Sequence, residues 1–434
     1  MLIAPKSGFA GHADDKDKPM TAFRNVASLI LAAALLQVAS GLMGVIVPLA
    51  LGDGGYSSAT IGLIAAVYSG GFMLGAAAAP QMIRSIANIR TFSFAAALCA
   101  VFVLIMAMYR DAWVWGLARF AIGVGIALMF ASVESWMTEA TPEKQRGSVL
   151  GIYLVVTKLA LIGGPFLAMG RPPEALEPYV WCGIFLCLAL MPISATKSLQ
   201  PAPPDPSPFP IRRMYEVAPA AVVGVFIAGL SNTGFLSLLP IFAESAEGSS
   251  ITTAATLMAA AYAGSMISQW PTGWLSDQMD RRLVIGGMGL VSAIAALILA
   301  ILNARPGALL TELLVGFWGA GALSFYGLCV AHAADRCEPN KIARMLSGLL
   351  FVWAAGSVLG PLLFGVVMAS PLGGQGLFIL EAIIGFVLFA LMVWRRQAKK
   401  AVQEENRESF EMVQPLSVAG VEFDPRTDAP EETA

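Results

Sequence analysis

Pro271-Thr272-Gly273-Trp274-Leu275-Ser276-Asp277-Gln278-Met279-Asp280-Arg281-Arg282 is a short charged hinge between two long apolar runs. An apolar helix that stops on Gly-x-x-x-Asp and restarts after Asp-Arg-Arg leaves two acids and two bases where the chain turns back. At a membrane surface such a cluster can hold a neighbouring helix end and later release it, which is what a gate requires.

The flanking chain makes a membrane surface the expected setting. Of 434 residues, 57% are hydrophobic and 13% charged, and the mean hydropathy is +0.71, which excludes an ordinary soluble domain. A hydrocarbon core of about 30 Å takes about 20 apolar residues to cross. Such stretches recur at 24–51, 57–80, 90–109, 113–139, 146–169, 176–197, 213–240, 251–277, 282–303, 307–333, 341–370 and 373–395, giving twelve spans. Alternate connections carry the basic residues, among them Arg84, Arg90, Lys144, Arg146, Arg212, Arg213, Arg281, Arg282, Arg336 and Lys341. The other set carries Arg110, Arg171 and Arg305, so the positive-inside rule places both termini in the cytoplasm. Cys99, Cys182, Cys187, Cys329 and Cys337 have neither CxxC nor Cys/His metal spacing and read as packing residues, with no metal or cofactor implied. Net charge of −2 points to no nucleic-acid partner.

The chain divides into a disordered cytoplasmic tail at 1–22, a six-helix bundle at 23–198, a proline-rich linker at 199–212, a second six-helix bundle at 213–397 and an acidic tail at 398–434. The two bundles read as a duplication. Tyr68 and Gly70 recur as Tyr262 and Gly264, Gly123 and Gly125 as Gly319 and Gly321, and Gly164-Pro165 as Gly360-Pro361, all at nearly one spacing.

Twelve spans in two related halves, with Gly273-x-x-x-Asp277-x-x-Asp280-Arg281-Arg282 between spans 8 and 9, resemble the major facilitator superfamily of transporters. Arg119-Phe120-Ala121-Ile122-Gly123-Val124-Gly125 is similar to that superfamily's Arg-x-x-x-Gly-x-Gly motif. Glu134-Ser135-Trp136, Gln145-Arg146-Gly147 and Cys329-Val330-Ala331-His332-Ala333 with Asp335-Arg336 resemble its bacterial inner-membrane branch labelled YcaD-like. The resemblance implies an all-α fold of twelve transmembrane helices in two pseudo-symmetric bundles, located in a bacterial inner membrane. One departure stands out: the superfamily's acidic loop is usually best kept between spans 2 and 3, yet 80–90 reads PQMIRSIANIR, with Ile83 where Asp277 stands in the second half. The gate is therefore expected to be asymmetric, with Asp277 from the second half clasping the start of span 5 near Arg146.

Ionisable residues inside a span cost about 2.5–3.5 kcal/mol on insertion scales, so they mark functional positions by default. Lys158 lies roughly 18 Å along span 5 from Arg146, near mid-depth. It is expected to bind an anionic or polar substrate group or to pair with Glu134, against the plainer reading of a lysine that snorkels along a groove. Glu134 is the proton-carrier candidate, or else a structural acid bonded to Arg146 or to backbone amides at the inner gate; Arg119 either carries substrate or proton traffic or packs against span 1. Glu312 and Glu381 read as interfacial or packing residues. Gln37, Tyr68, Asn232, Tyr262, Gln269, Tyr326 and Trp353 sit near mid-depth, where a few polar groups in an apolar wall suit a modest amphiphilic ligand; each could equally mediate helix packing. Gly360-Pro361 and Gly164-Pro165 are expected helix bends.

Without a Walker sequence the chain does not itself spend ATP. The histidines His12 and His332 lack the company an active site needs, which argues against an enzyme. The expected function is a monomeric secondary transporter working by alternating access on a small amphiphilic or organic-anion solute within the lipid bilayer, coupled to protons. Export is preferred over uptake of a small organic anion, and a transport-derived sensor or lipid-handling protein is the third reading.

Overall fold

The computed structural model describes residues 17–142, 145–194, 210–244, 250–338 and 341–398, and every regular element among them is helical. In chain order these are α1 (Asp17–Asp53), α2 (Ser58–Met108), α3 (Ala112–Ala140), α4 (Arg146–Gly163) with a 3₁₀ turn at Gly164–Ala168, α5 (Glu177–Ser194) and the short α6 (Ile211–Val217). Then follow α7 (Pro219–Ala243), α8 (Ser250–Gln278), α9 (Arg281–Ile301), α10 (Leu309–Ala322), α11 (Phe325–Ala334), α12 (Ile342–Met368) and α13 (Gly373–Ala398). The starts are written in the sequence. Asp111 Oδ1 accepts from the backbone N–H of Trp113 and Val114 at 2.9 and 3.1 Å, and Ser57 and Asp280 likewise cap α2 and α9.

Eleven stretches of described residues are helical, long and apolar enough to cross a membrane, against the twelve spans expected. The difference lies at 80–90, which is helical rather than a loop. At about 1.5 Å per residue, the 51 residues of α2 would extend about 77 Å, more than twice a hydrocarbon core. The backbone breaks at Ala87 (φ 71°, ψ 164°), so α2 is two crossings joined by a single-residue kink. Between Gln81 and Arg90 no Gly, Pro or acid is present to end a helix, and the chain runs helical up to the kink. Span 7 is corrected the other way. Pro219 disfavours helix at the preceding residue, and Ala218 (φ −135°, ψ 65°) separates α6 from α7. The expected 1–22 tail ends in helix from Asp17, and most of the 199–212 linker and nearly all of the 398–434 tail lie outside the described residues.

The duplication is visible in how helices touch. A Cβ at Gly123 on α3 would sit 2.2 Å from the Tyr68 carbonyl oxygen on α2; one at Gly319 on α10 would sit 2.0 Å from the Ala261 carbonyl oxygen on α8. At the two bends, Gly164 meets the Val38 carbonyl and Gly360 the Leu230 carbonyl, each at 2.2 Å by the same measure. Equivalent glycines therefore bring equivalent backbones into contact in both halves. Gly164-Pro165 turns the end of α4 into a 3₁₀ turn, whereas Pro361 is carried within α12. Between the halves, a Cβ at Gly62 on α2 would lie 2.2 Å from the Pro361 carbonyl oxygen, and one at Gly365 would lie 2.7 Å from that of Ser58. This seam lies at the end of the molecule opposite the basic connections. Toward the basic end, Gly125–Met137 of α3 and Phe325–Ala334 of α11 are continuously buried.

Candidate functional site: a cationic cavity between the bundles

A cavity of about 350 Å³ lies between the two bundles, lined by residues of α1, α2, α3, α4, α5, α7, α8, α11 and α12. Its wall sets polar side chains, among them Gln37, Asn232 and several Ser and Thr hydroxyls, between apolar Ile, Leu, Met, Phe and Val, and such a mixture can hold a ligand. Gln37, Tyr68, Arg119, Lys158, Asn232, Tyr262, Tyr326 and Trp353 all reach this wall.

Arg119 lies over the Tyr68 ring at 4.1 Å, and Lys158 lies 5.9 Å from the Tyr262 ring centre. The two tyrosines that the duplication relates thus each carry a cation, and both cations come from the first half. Lys158 is buried and donates to the Ser265 hydroxyl at 3.2 Å, joining α4 to α8 across the bundles. This replaces the expected pairing with Glu134: among the described residues Lys158 has no carboxylate partner. Glu134 is buried outside the cavity wall and accepts from the Tyr153 hydroxyl at 3.0 Å. Gln269 is likewise buried away from it. Trp353 packs edge-on against Phe72, ring centres 6.4 Å apart, across the α2 and α12 seam.

Tyr153, Ser265 and Phe72 are absent from the sequence reading; hydroxyls and rings on helices carry no periodic signal that separates contact from packing. Glu381, read there as interfacial or packing, is fully buried on α13 and accepts from Ser231 of α7 at 2.7 Å.

At the hinge, Arg281 and Arg282 are buried rather than solvated. Arg281 Nε donates to Asp335 Oδ2 at 2.8 Å, and its Nη1 donates to Ser276 Oγ at 2.9 Å and pairs with Asp277 Oδ1 at 3.1 Å. Arg282 donates to both Asp280 oxygens and, through Nη1, to the Arg395 carbonyl at 2.9 Å. Gly273 is buried one turn before Asp277. The hinge thus ties α8, α9, α13 and the Asp335 turn after α11 into one knot within the second half. Burial works against the Asp280 carboxylate, but hydrogen bonds from the Arg282 side chain and backbone outweigh it and hold its pKa below the ordinary aspartate value.

The family description "Major Facilitator Superfamily" matches residues 29–215 and again 221–427. An uncharacterized MFS-type transporter of Enterobacter sp. (strain 638) is 24% identical over 375 residues, covering 86% of this chain and 96% of that protein. The uncharacterized MFS-type transporter YcaD of Escherichia coli O17:K52:H18 (strain UMN026 / ExPEC) is 24% identical over 372 residues, covering 85% and 95%. Among solved structures, a bacterial homolog to the human lysosomal transporter Spinster, inward-facing and unoccupied, superposes with a TM-score of 0.70 at 15% identity over 90% of this chain and 99% of that one.

Proposed function

The chain belongs to the Major Facilitator Superfamily, in its YcaD-like branch, and is a multi-pass membrane transporter rather than an enzyme; on that premise we propose that it moves a small amphiphilic solute by alternating access, driven by protons. The observation that supports this reading is the cavity. It lies between duplicated bundles, is walled by both, and abuts the α2–α12 seam, where Gly62 and Gly365 bring main chain against main chain.

In this reading the bundles rock about Lys158, Tyr68 and Tyr262, and the seam at Gly62, Pro361 and Gly365 closes the outer side. Asp277, half-exposed at the edge of the knot and paired with Arg281, is the acid this reading assigns to engage the start of α4 near Arg146 when the cytoplasmic side closes. This reading gives the coupling proton to Lys158 in the cavity wall and to Glu134, buried off that wall. The helix ends carrying Arg84, Arg90, Arg281 and Arg282 face the cytoplasm of a bacterial inner membrane, and the working unit is the monomer.

Right-side-out and inside-out vesicles containing the protein, given a panel of amphiphiles and organic acids with an internal pH dye, test the reading. Solute-dependent proton movement absent from protein-free vesicles is expected, and the orientation that responds gives the direction. Silence from every compound in both orientations rejects the reading.

A further inference from the structure

Among the described residues, the cavity wall carries two cations and no acid: Arg119 and Lys158 reach it, and no described lining residue is Asp or Glu. The titratable groups acting on Arg119 are Tyr68, Cys99, Tyr179 and Cys182, types that are neutral at pH 7. The nearby buried carboxylates are engaged elsewhere, Glu134 by Tyr153 and Glu381 by Ser231, and neither lines the cavity. A buried charge without a counter-charge costs several kcal/mol, so such a pair persists where an anion periodically supplies the balance. Donors are also left over: Arg119 Nε and Trp353 Nε1 are enclosed without a hydrogen-bond partner among the described residues, and Lys158 spends one N–H on Ser265. The rest of the wall is mixed: Ile64, Phe72, Ile126, Phe130 and Met258 are apolar, while Gln37, Asn232 and the hydroxyls of Ser69 and Ser357 add neutral polar groups.

We infer that the transported solute is an organic anion: one carboxylate, sulfonate or phosphate group seated between Arg119 and Lys158, with an apolar body of ring or chain held against Phe72 and Trp353. The inference rests on the transporter reading of this cavity and narrows it to one sign of charge. Arg119 and Lys158 each sit against a tyrosine face, which keeps them extended into the cavity when it is empty; the anion then exchanges a weak cation–π contact for charge-assisted hydrogen bonds.

The test uses three probes of one shape and different charge, namely 2-naphthoate, 2-naphthalenemethanol and 2-naphthylmethylammonium, titrated into the purified full-length protein while Trp fluorescence and melting temperature are followed. Naphthoate is expected to bind at least roughly tenfold more tightly than the alcohol, with no binding of the ammonium. Lys158→Met and Arg119→Met are each expected to weaken naphthoate by roughly ten- to a hundredfold, the loss of one charge-assisted contact, and Lys158→Arg to retain most of the affinity. An unchanged melting temperature of the unliganded variants separates this from misfolding, and if Arg119→Met fails to fold, the Lys158 pair alone decides. Equal binding of all three probes, preference for the ammonium, no binding of naphthoate, or unchanged affinity in Lys158→Met overturns the inference. Counterflow of labelled naphthoate in proteoliposomes keeps the two readings apart: binding without counterflow leaves the anion seat and rejects transport, while counterflow of the ammonium probe leaves transport and rejects the seat.

Discussion

The junction at 80–90 and the junction at 271–282 occupy equivalent places in the two halves and solve the same problem oppositely. The first turns at a one-residue break in α2, with Ala87 at φ 71°, a buried Ile83 and no acid. The second breaks the helix, caps the restart with Asp280 and buries two arginines in a net of carboxylates and carbonyls. A kink fixes the angle between two helices locally, whereas the knot reaches α13 and the end of α11, so it couples the second bundle's ends as one body. The difference teaches that duplicated halves can share a fold while dividing its labour: rigidity of the basic end is concentrated in the second half, and charge in the cavity is supplied by the first.

The largest effect that can break this comparison is expected from Arg281→Met. It leaves the Asp335 carboxylate, whose side chain is 2% exposed, buried without its closest cation, at about 3–5 kcal/mol. A large loss of melting temperature, partly rescued by Asp335→Leu in the same chain, is the expected result. Equal stability of the single variant would show that the knot is not structural. Moving the acid to the first half should cost less: Ile83→Asp puts a carboxylate at a 4%-exposed site without a built partner, at about 2.5–3.5 kcal/mol on insertion scales. If instead Ile83→Asp is neutral, the first junction already holds a latent acidic site and the asymmetry is one of sequence alone.

How much of this is legible in the sequence follows from what each feature demands. Charged residues in an apolar chain must be placed deliberately, so Asp277 through Arg282 stand out at once, as does the lone Lys158. The glycine pairs that join equivalent helices are legible because only a missing side chain permits backbone contact. The kink at Ala87 is not legible, since alanine enters that backbone region only when its surroundings compel it. Glu134 stands off the cavity for a geometric reason: it lies fifteen positions beyond Arg119 on α3, at about 1.5 Å each. Which tyrosine faces each cation meets depends on packing between helices distant in sequence, and no local pattern encodes it.

Smaller effects sharpen the contrast. Ala87→Gly relieves a backbone conformation that costs a side-chain-bearing residue about 1–3 kcal/mol, so it should raise the melting temperature by an amount worth about 1 kcal/mol. A loss of stability would mean that the kink is under no strain. Asp277→Asn removes a pair whose acid is 42% exposed, so stability should change by no more than about 1 kcal/mol. On the proposal that Asp277 engages the start of α4, transport in vesicles should nevertheless fall, because asparagine can still cap a helix but lacks the charge; unchanged transport would restrict Asp277 to its local pair. The smallest effect is in pH. Because Arg282 holds the Asp280 pKa below its unfolded value, the stabilisation is present above about 3.9 and is lost as acidification passes through the folded value. Asp280→Asn should therefore flatten the acid limb of melting temperature against pH, and an unaltered limb would remove Asp280 from the knot.

At two points of the seam, where Gly62 meets Pro361 and Gly365 meets Ser58, the contact is main chain against main chain. Surfaces without side chains have no rotamers to freeze when they meet and no exposed methyl groups to rehydrate when they separate. Such a joint behaves like a bearing: it holds alignment through shape, stores little energy in either position, and leaves the equilibrium between closed and open to be tipped by whatever occupies the cavity beneath it.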